Sequence, residues 1–296
     1  MENIYGGIEA GGTKIVCAIG SGPDNLYDEI RFPTTTPDET IDRCIDYFRN
    51  QISNNDLHSI GIGSFGPLDL RVNSATYGFI TFTNKLGWSN TDILGKLKSK
   101  FNVPIILDTD VNAAALGEYY WGSGRNLSDF VYLTIGTGIG GGAIVNGKLL
   151  HGFNHPEMGH ILIPNDERNN SFKSICNFHQ NCLEGLASGP AIEKRWGMKA
   201  EKILKDHEAW NLQADYLAKA IVNYMLTLAP KRIILGGGVM EQKQLFPIIR
   251  NKVKEYLNEY IHIPEVLDHL DDYIVPPKLG NKAGILGAIA LAKYCL

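Results

Sequence analysis

Four residues in the middle of the chain have the types and spacing of a zinc site. Cys176, His179 and Cys182 form the pattern C-x-x-H-x-x-C, and His160 lies sixteen positions before Cys176. Two thiolates and two imidazoles suit tetrahedral zinc, and a closed set of four protein ligands is typical of a structural site. The alternative is a polar loop that contains two incidental cysteines.

Two other histidines compete with His160 for the first ligand position. His155 lies five residues before it and His151 nine residues before it. His155 could instead face solvent or a sugar, and His151 could simply end a strand. The pattern favours His160 and leaves the other two as alternatives.

Asp110 has the position of a general base. It lies where a predicted strand, 103–107, meets a predicted helix that begins at Val111. A carboxylate at the carboxyl end of an α/β strand can take a proton from a substrate hydroxyl. The alternative role for Asp110 is the N-cap of that helix. Asp108 is a neighbouring alternative, but its position places it on the strand.

Two glutamates lie beside the predicted metal ligands. Glu157 precedes His160 by three residues, and Glu184 follows Cys182 by two. Glu157 could accept hydrogen bonds from vicinal hydroxyl groups, and the metal would hold both acids in place. Taken alone, either glutamate would be a solvated surface charge.

The segment 64–69 follows a predicted buried strand and contains Gly66 and Pro67. It could form the wall of a sugar pocket. A simple turn is the alternative.

A glycine-rich segment near the start of the chain has a near copy 127 positions later. Residues 8–14 read IEAGGTK and residues 135–141 read IGTGIGG, and each lies between two apolar runs. Both therefore predict a strand, a tight turn and a strand. Glycine lets phosphate oxygens approach backbone N–H groups that a side chain would block. One such hairpin could be purely structural, but two of them predict a polyphosphate site.

A third glycine cluster follows another apolar run. Residues 231–235 predict a buried strand that leads into Gly236, Gly237 and Gly238, followed by Val239 and Met240. Three glycines between a strand and a helix leave space for a flat ligand such as adenine. A turn that allows close helix packing is the alternative.

The predicted elements that position these residues alternate between strands and helices, which favours an α/β fold. Further strands are expected over 58–63 and 273–276. Helices are expected over 92–100, 111–121, 183–196, 212–228, 242–260 and 283–294. The long irregular stretch 154–181 holds the predicted metal ligands, and a loop of that length in a compact domain is usually functional.

Composition excludes several classes of protein. The chain has 296 residues, enough for two domains, and its net charge of −4 offers no surface suited to nucleic acid or anionic lipid. No apolar stretch approaches the roughly 18–20 residues of a spanning helix. Five cysteines without a secretory signal lead us to expect a reduced, cytoplasmic protein. Cys17, Cys44 and Cys295 fit structural positions.

Together these motifs resemble those of the ROK family of sugar kinases and related repressors, within the actin-like/hexokinase ATPase superfamily. They are most similar to the bacterial zinc-containing fructokinases of that family. The resemblance covers nearly the whole chain, and the motifs occur in the family order. It implies two related ribonuclease H-like α/β domains around a nucleotide cleft. Residues 1–112 with 282–296 would form one domain, and 113–281 the other.

The resemblance also implies roles for individual residues. Asp110 would be the catalytic base. ATP would be bound by Gly11, Gly12, Thr13, Lys14, Gly136, Thr137, Gly138, Gly189, Pro190, Gly236, Gly237, Gly238, Val239 and Met240. The sugar would be bound by Gly66, Asp110, Glu157, His160 and Glu184. Structural zinc would be held by His160, Cys176, His179 and Cys182. Mg²⁺ would bridge phosphate oxygens, with Glu9 as an indirect ligand.

Three residues depart from the family pattern. Glu9 stands where the superfamily usually has aspartate, which puts the geometry of magnesium binding in question. Thr109 stands where many glucokinases of the family carry a sugar-binding asparagine, which disfavours glucose. His179 stands where many members have another cysteine.

The function implied is an ATP-dependent hexose kinase, most similar to a fructokinase that makes fructose 6-phosphate. A glucokinase or a mannokinase is the alternative within the family. A sugar-responsive repressor is disfavoured because the first motif begins at Gly6, with no room for a preceding DNA-binding domain. A non-catalytic ATP-binding assembly protein is disfavoured by the acids near the zinc motif. The family also suggests a homodimer.

Overall fold

The computed structural model describes residues 3–52, 57–164, 172–261 and 263–295. Residues 165–171, part of the irregular stretch expected over 154–181, lie outside the described residues. The chain divides into two compact units. Unit 1 comprises the described residues of Met1–Asn126, Leu149–Pro156 and Lys278–Leu296, and unit 2 those of Leu127–Lys148 and Glu157–Pro277.

The strands and helices alternate along much of the chain. The strands are β1 (Ile4–Ala10), β2 (Lys14–Gly22), β3 (Asn25–Pro33), β4 (Leu57–Ser64), β5 (Phe79–Ile80), β6 (Thr91–Asp92), β7 (Ile105–Thr109), β8 (Phe130–Ile135), β9 (Ile139–Val145), β10 (Lys148–Leu149), β11 (Ile233–Gly236) and β12 (Ile274–Val275). The helices are α1 (Pro37–Ile52), α2 (Ile93–Lys98), α3 (Asp110–Trp121), α4 (Leu183–Ala187), α5 (Gly189–Trp196), α6 (Ala209–Leu228), α7 (Leu245–Leu257), α8 (Pro264–Leu267), α9 (Leu270–Tyr273) and α10 (Ala283–Tyr294).

The main sheet of unit 1 has the strand order β3-β2-β1-β4-β7. β1 and β2 form an antiparallel hairpin, whereas β1, β4 and β7 are parallel neighbours. Ala10 pairs with Ser64, and Ser64 pairs with Thr109. Three parallel strands therefore end at the same edge of the sheet, and the segments that follow them start side by side.

Helices α3 and α10 pack closely in unit 1 because glycines remove side chains from the contact. A Cβ on Gly287 would lie 1.9 Å from the Ala113 carbonyl oxygen, and one on Gly61 of β4 would lie 2.0 Å from the Ala288 carbonyl oxygen. Helix α10 is buried along most of its length, including Ile285 and Ile289. A separate apolar cluster contains residues of α1, β4 and α2, among them Phe48, Ile60 and Leu97.

The sheet of unit 2 repeats the design of unit 1, with the order β10-β9-β8-β11-β12. β8 and β9 form an antiparallel hairpin, and β8, β11 and β12 are parallel neighbours. Helix α6 is 20 residues long, and most of its side chains are buried, including Trp210 and Tyr216. The predicted α/β class with two related domains is confirmed by this repeated topology.

The elements differ from the predicted ones at several points. Strand β3 was not predicted, and the helix expected over 183–196 is two helices separated at Ser188, whose backbone is extended. The predicted domain boundary at residue 112 falls inside α3, whereas the first segment of unit 1 continues to Asn126. Within the described part of the chain, no helix has the length and apolar character needed to cross a membrane.

Candidate functional site

The first glycine hairpin makes a tight turn between β1 and β2. The backbone N–H of Gly11 donates to the Lys14 carbonyl at 3.0 Å, and the hydroxyl of Thr34 donates to the Gly11 carbonyl at 2.7 Å. The backbone N–H of Thr34 also donates to the Thr13 carbonyl at 3.0 Å. Thr13 and Lys14 are exposed, and no atom lies within 4 Å of where a Gly12 Cβ would be. Thr34 therefore holds the turn through its hydrogen bonds, and the space beside Gly12 is open.

Glu9 lies one residue before the end of β1 and is partly buried. Burial raises the pKa of its carboxyl group; the positive charge of Lys14 opposes this shift, and the negative charge of Asp110 adds to it. Its carboxyl group packs against the first turn of α10, where a Cβ on Gly284 would lie 2.5 Å from Cδ of Glu9. Gly284 therefore leaves room for an acid that is one methylene longer than aspartate.

Asp110 is the first residue of α3, directly after β7. The sequence-based alternative that it caps this helix is wrong, because the N-cap is Thr109, whose side chain accepts from the Asn112 N–H at 3.1 Å. One carboxylate oxygen of Asp110 accepts from the Val111 N–H at 2.9 Å. A Cβ on Gly63 of β4 would lie 3.4 Å from the Asp110 Cα, so the helix begins against the neighbouring strand.

Gly66 lies in the loop that follows β4, and this loop is joined to residues 154–155. The N–H of Leu68 donates to Nε2 of His155 at 2.9 Å, and the Asn154 side chain donates to the Leu68 carbonyl at 2.6 Å. Asn154 also accepts from the Leu70 N–H at 3.1 Å. His155 is thus an acceptor for the loop that holds Gly66 rather than a member of the Cys/His cluster.

The second glycine hairpin lies in unit 2 and is contacted by the two other predicted nucleotide motifs of that unit. Within the turn, the N–H of Gly136 donates to the Gly138 carbonyl at 2.8 Å. The N–H of Gly189, at the start of α5, donates to the Gly136 carbonyl at 2.7 Å. Gly237 has a φ of 89°, and a Cβ there would lie 2.4 Å from the Ile135 carbonyl oxygen. Three separate motifs thus meet around one turn.

The remaining members of these motifs differ in exposure. Thr137, Pro190 and Gly238 are exposed, whereas the side chains of Val239 and Met240 are buried. Gly236 ends β11, where it pairs with Thr134 of β8. The predicted motif residues 236–238 therefore leave the sheet at the same edge as the hairpin.

Glu184 lies on α4 and braces the second hairpin. Its Oε2 accepts from the Ile139 N–H at 2.9 Å, and a Cβ on Gly138 would lie 2.7 Å from the same oxygen. Its Oε1 is 3.8 Å from Nε2 of His160, which is an ion-pair distance rather than a hydrogen bond. The acid thus links the hairpin to the predicted metal ligands.

The four predicted metal ligands come together in unit 2. The ligand atoms of His160, Cys176, His179 and Cys182 all lie within 4.8 Å of one another. Sγ of Cys176 is 3.9 Å from Nδ1 of His160 and 3.6 Å from Nδ1 of His179. Two sulfur and two nitrogen atoms at such separations fit one tetrahedral ion, and a closed protein set of this kind is the usual structural arrangement.

Glu157 precedes a short 3-10 turn over Met158–His160, and His160 is the last residue of that turn. Glu157 is exposed, and its carbonyl accepts from the His160 N–H at 3.0 Å. The turn is fixed underneath, since the Tyr224 hydroxyl donates to the Met158 carbonyl at 2.5 Å. A Cβ on Gly159 would lie 1.7 Å from the Ile139 carbonyl oxygen. This close approach places the acid and the cluster beside the strand that leaves the second hairpin.

Three supporting contacts were not predicted from the sequence. Thr34 holds the first hairpin, Gly284 accommodates Glu9, and Asp108 forms an ion pair with His151. A predicted α10 with glycine in its first turn was the only sequence signal for Gly284. Thr34 and His151 are far in sequence from the residues they contact, so no local pattern identified them.

Comparison with known proteins gives a consistent assignment. The family model described as ROK family matches residues 5–294. A fructokinase from Pediococcus pentosaceus is 47% identical over 296 residues, which cover 99% of each chain. Among solved structures, a ROK hexokinase from Thermus thermophilus is 25% identical with a TM-score of 0.80 over 98% of each chain. A ROK family glucokinase from Streptomyces griseus, in complex with glucose and AMPPNP, is 23% identical with a TM-score of 0.79, covering 98% of this chain and 99% of that one.

The family match extends over almost the whole chain, and the structural likeness extends over both units. The motifs at the two glycine hairpins, at Asp110 and at the Cys/His cluster all fall within the matched residues. This protein therefore belongs to the ROK family.

Proposed function

We propose that this protein is an ATP-dependent fructokinase, which transfers the γ-phosphoryl group of ATP to fructose and releases ADP and fructose 6-phosphate. The observation that carries the proposal is the position of Asp110, at the sheet edge that also carries Glu9 and the first glycine hairpin. The 47% identity with a fructokinase, against 23% with a glucokinase, favours fructose over glucose as the acceptor.

Each unit has a glycine hairpin suited to phosphate oxygens. In unit 1, the turn of Gly11, Gly12 and Thr13 is partly buried at the glycines and exposed at Thr13, and Lys14 adds a positive charge. In unit 2, the turn of Gly136, Thr137 and Gly138 is joined by Gly189 with Pro190 and by the 236–240 segment. Backbone N–H groups and a lysine can stabilise the charge that develops on a transferring phosphoryl group. The AMPPNP bound by the Streptomyces griseus glucokinase supports ATP as the nucleotide.

Asp110 acts as the general base in this proposal. Its carboxylate accepts the proton of the acceptor hydroxyl while that oxygen forms a bond to the γ-phosphorus. The bond from the γ-phosphorus to its bridging oxygen breaks at the same time, and ADP leaves with the electron pair. One carboxylate oxygen is held by the Val111 N–H, which orients the group. General bases of this type contribute about 10²–10⁴ in rate.

The remaining sugar contacts are assigned from the family pattern. We assign Gly66, Glu157, His160 and Glu184 to sugar binding. The exposed carboxylate of Glu157 is able to accept hydrogen bonds from vicinal hydroxyl groups. Thr109 already accepts a bond from the Asn112 N–H, so its side chain is oriented toward the helix it caps.

Two metal ions belong to the proposal. Zinc fits the ligand set of His160, Cys176, His179 and Cys182, and when bound it would hold the loop that carries Glu157 and Glu184. Magnesium would neutralise phosphate charge, and the Glu9 carboxylate would hold it through water. A homodimer, suggested by the family alone, would be seen by sedimentation equilibrium.

A hexose panel tests the activity and its base together. ADP and sugar phosphate are both measured for fructose, mannose and glucose with wild type, Asp110→Asn and Asp38→Asn. Asp38 is an exposed acid on α1 and serves as the matched control. We expect the highest kcat/KM on fructose. Asp110→Asn should lower the turnover rate by a factor of at least about 10². Calorimetry should show that this variant still binds ATP.

Other outcomes would change the proposal in defined ways. If kcat/KM is higher on mannose or glucose than on fructose, that sugar becomes the proposed substrate. An unchanged rate in Asp110→Asn would remove Asp110 as the base. No phosphate transfer to any sugar by the wild type would overturn the kinase assignment itself.

A further inference from the structure

Asp108 is a buried acid that stands two residues before the proposed base. Its side chain is 6% exposed, and it lies near the end of β7. One carboxylate oxygen accepts from the Thr109 N–H at 2.7 Å and from the Asn112 side chain at 2.8 Å. The other oxygen lies 2.8 Å from Nε2 of His151. A buried carboxylate needs such partners because it has lost its hydration.

These bonds span the turn from β7 into α3. Thr109 is the residue before Asp110, and Asn112 is two residues after it. By holding the N–H of one and the side chain of the other, Asp108 restrains the backbone on both sides of Asp110. The direction of the Asp110 carboxylate therefore depends on how firmly Asp108 is held.

His151 supplies the charged partner of Asp108. The hydrogen bond to Asp108 and the backbone of Leu149 both favour the protonated ring. The bond to Asp108 is the main cause of a raised pKa at His151, and burial acts in the opposite direction.

A cavity gives His151 access to solvent. It has a volume of about 320 Å³ and lies at the outer edge of β7 within unit 1. Its wall is formed by Asp108 and His151 together with Leu70, Arg71, Tyr77, Leu107, Gly152, Phe153 and Asn154. The His151 side chain is 38% exposed, so its proton can exchange with the surrounding water.

Among the described residues, few other charged or titratable groups lie near this pair. Arg71 lines the cavity and is bound by two hydrogen bonds to Asp69. Tyr77 lines the cavity as well, and Cys295 near the end of α10 interacts electrostatically with Asp108. Arg71 already has an acid as partner, which leaves the His151 imidazolium as the cation hydrogen-bonded to Asp108.

The chain position of His151 connects the ion pair to other predicted site residues. It lies in the segment that leads to Glu157, six residues later. Asn154 and His155 of the same segment bind the loop that contains Gly66 through Leu68 and Leu70. One short segment thus holds both the Gly66 loop and the turn that carries Asp110.

We propose that His151 is a positioning residue for the phosphoryl transfer: through Asp108 it fixes the β7–α3 turn and with it the carboxylate of Asp110. This inference rests on the proposed function, since it assigns His151 a part in the reaction for which Asp110 is the base.

The sign of the pH dependence follows from the raised pKa. The imidazolium is fully formed below about pH 6.5, the usual pKa of histidine, and it persists to higher pH in the folded protein. As pH rises through the folded-state pKa, His151 loses the positive charge that strengthens its hydrogen bond to Asp108. We therefore expect kcat to fall on the alkaline side for this reason.

Three variants test the proposal against the pH profile of kcat. His151→Gln keeps a neutral donor, His151→Arg keeps a permanent cation, and His58→Gln alters an exposed histidine of unit 1 as the control. We expect His151→Gln to lower kcat between about tenfold and about 100-fold, the range of a small misplacement of a catalytic group, and to abolish the alkaline fall. His151→Arg should restore much of the rate and show no alkaline fall, and thermal denaturation of each variant confirms that it is folded.

The outcomes separate this inference from the proposed function. If the wild type phosphorylates fructose and His151→Gln keeps the alkaline fall of the wild type at the same pH, the positioning role is wrong and the kinase assignment stands. If the wild type phosphorylates no sugar, both fail. An NMR titration of the His151 ring provides a reading independent of activity: its pKa should drop in Asp108→Asn, and an unchanged value would contradict the ion pair on which the inference depends.

Discussion

The two glycine hairpins occupy the same place in two sheets of the same strand order, but they are supported by different chemistry. The first hairpin is held by Thr34, which follows β3 of its own sheet. The second is held by Glu184, a charged residue two positions after Cys182, and by Gly189. A repeated topology therefore does not require a repeated support.

The two hairpins have different supports because the edge strands beside them, β3 and β10, differ in length. In unit 1, β3 is nine residues long and ends directly behind the first turn, where Thr34 can bond to it. In unit 2, the corresponding β10 has only two residues, and the described contacts to the second turn come from Gly189 and Glu184. The Cys/His segment supplies the brace instead. The second hairpin should thus depend on the metal cluster, and the first should not.

Loss of a metal ligand should produce the largest difference between the two hairpins. Cys182→Ser removes a buried member of the cluster, and we expect zinc content to fall and the free energy of unfolding to drop by about 4 kcal/mol or more. Hydrogen exchange at the Ile139 amide should accelerate, while the Gly11 amide in the first hairpin stays protected. Cys295→Ser, at an exposed cysteine, is the control. Equal acceleration at both amides would show that the hairpins share one support.

Removal of each brace alone should have a smaller effect. Glu184→Ala leaves the Ile139 N–H without its carboxylate acceptor, and Thr34→Val leaves the Gly11 carbonyl without its hydroxyl donor. We expect a loss of about 1–3 kcal/mol for the first change and about 1 kcal/mol for the second, because a charged partner makes the stronger bond. Urea unfolding of the two variants measures both. Glu184→Gln retains an acceptor oxygen and should lie close to wild type in stability, and a loss as large as that of the alanine variant would argue against the bond.

A methyl group on Gly284 should affect the first hairpin only. It would meet the Glu9 carboxyl group at 2.5 Å, and that flexible group would move aside rather than unfold the helix. We expect Gly284→Ala to raise the KM for magnesium–ATP several-fold with little change in thermal stability. Glu9→Asp, with a shorter acid, should remove the conflict and recover most of the loss in the double variant. Failure of Glu9→Asp to rescue would place the effect elsewhere in α10.

Low pH should lower the stability of both units, by less than the substitutions above. Hydrogen bonds from Arg71 hold the pKa of Asp69 in unit 1 below its usual range. In unit 2, burial acts to raise the pKa of Asp215, but bonds from Lys219 and Tyr256 outweigh it and the net shift is downward. Each acid therefore contributes stability above about pH 3.9, and this contribution is lost as pH falls toward its folded-state pKa.

Urea midpoints measured between pH 7 and pH 3 test this expectation. Asp69→Asn should lower stability at pH 7 and reduce the loss on acidification, because the variant has no carboxylate to protonate there. Asp38→Asn, at an exposed acid, should keep the wild-type slope. An Asp69→Asn slope equal to that of wild type would mean that this acid makes no contribution to acid sensitivity.

Much of the site was predictable because its residues are close in sequence. The pattern C-x-x-H-x-x-C needs only one loop to bring its members together, and His160 joins them through an antiparallel bridge between Leu162 and Cys182. Glycine clusters between apolar runs likewise predicted both hairpins, since strand, turn and strand are local features. The position of Asp110 followed from the strand that precedes it, although its role as first helical residue rather than N-cap did not.

Other features depend on residues far apart in the chain and had no local signal. Strand β3 is partly exposed and rich in charged residues, so its sequence lacks a clear apolar pattern, and it is a strand because β2 offers it an edge. The ion pair of Asp108 and His151 joins residues 43 positions apart. The break at Ser188 arises where Gly189 turns to bond Gly136, a contact that a helical pattern cannot reveal.

The amino-acid sequence by itself determined the α/β class, the family, the two hairpins and the ligand types of the metal cluster, because these follow from periodicity, glycine placement and short spacings. Tertiary structure decided which groups support them: Thr34 behind one turn, Glu184 behind the other, Gly284 beside Glu9 and His151 beside Asp108. Supports of this kind are set by packing between distant segments, where burial makes each polar group find a partner whatever its distance along the chain.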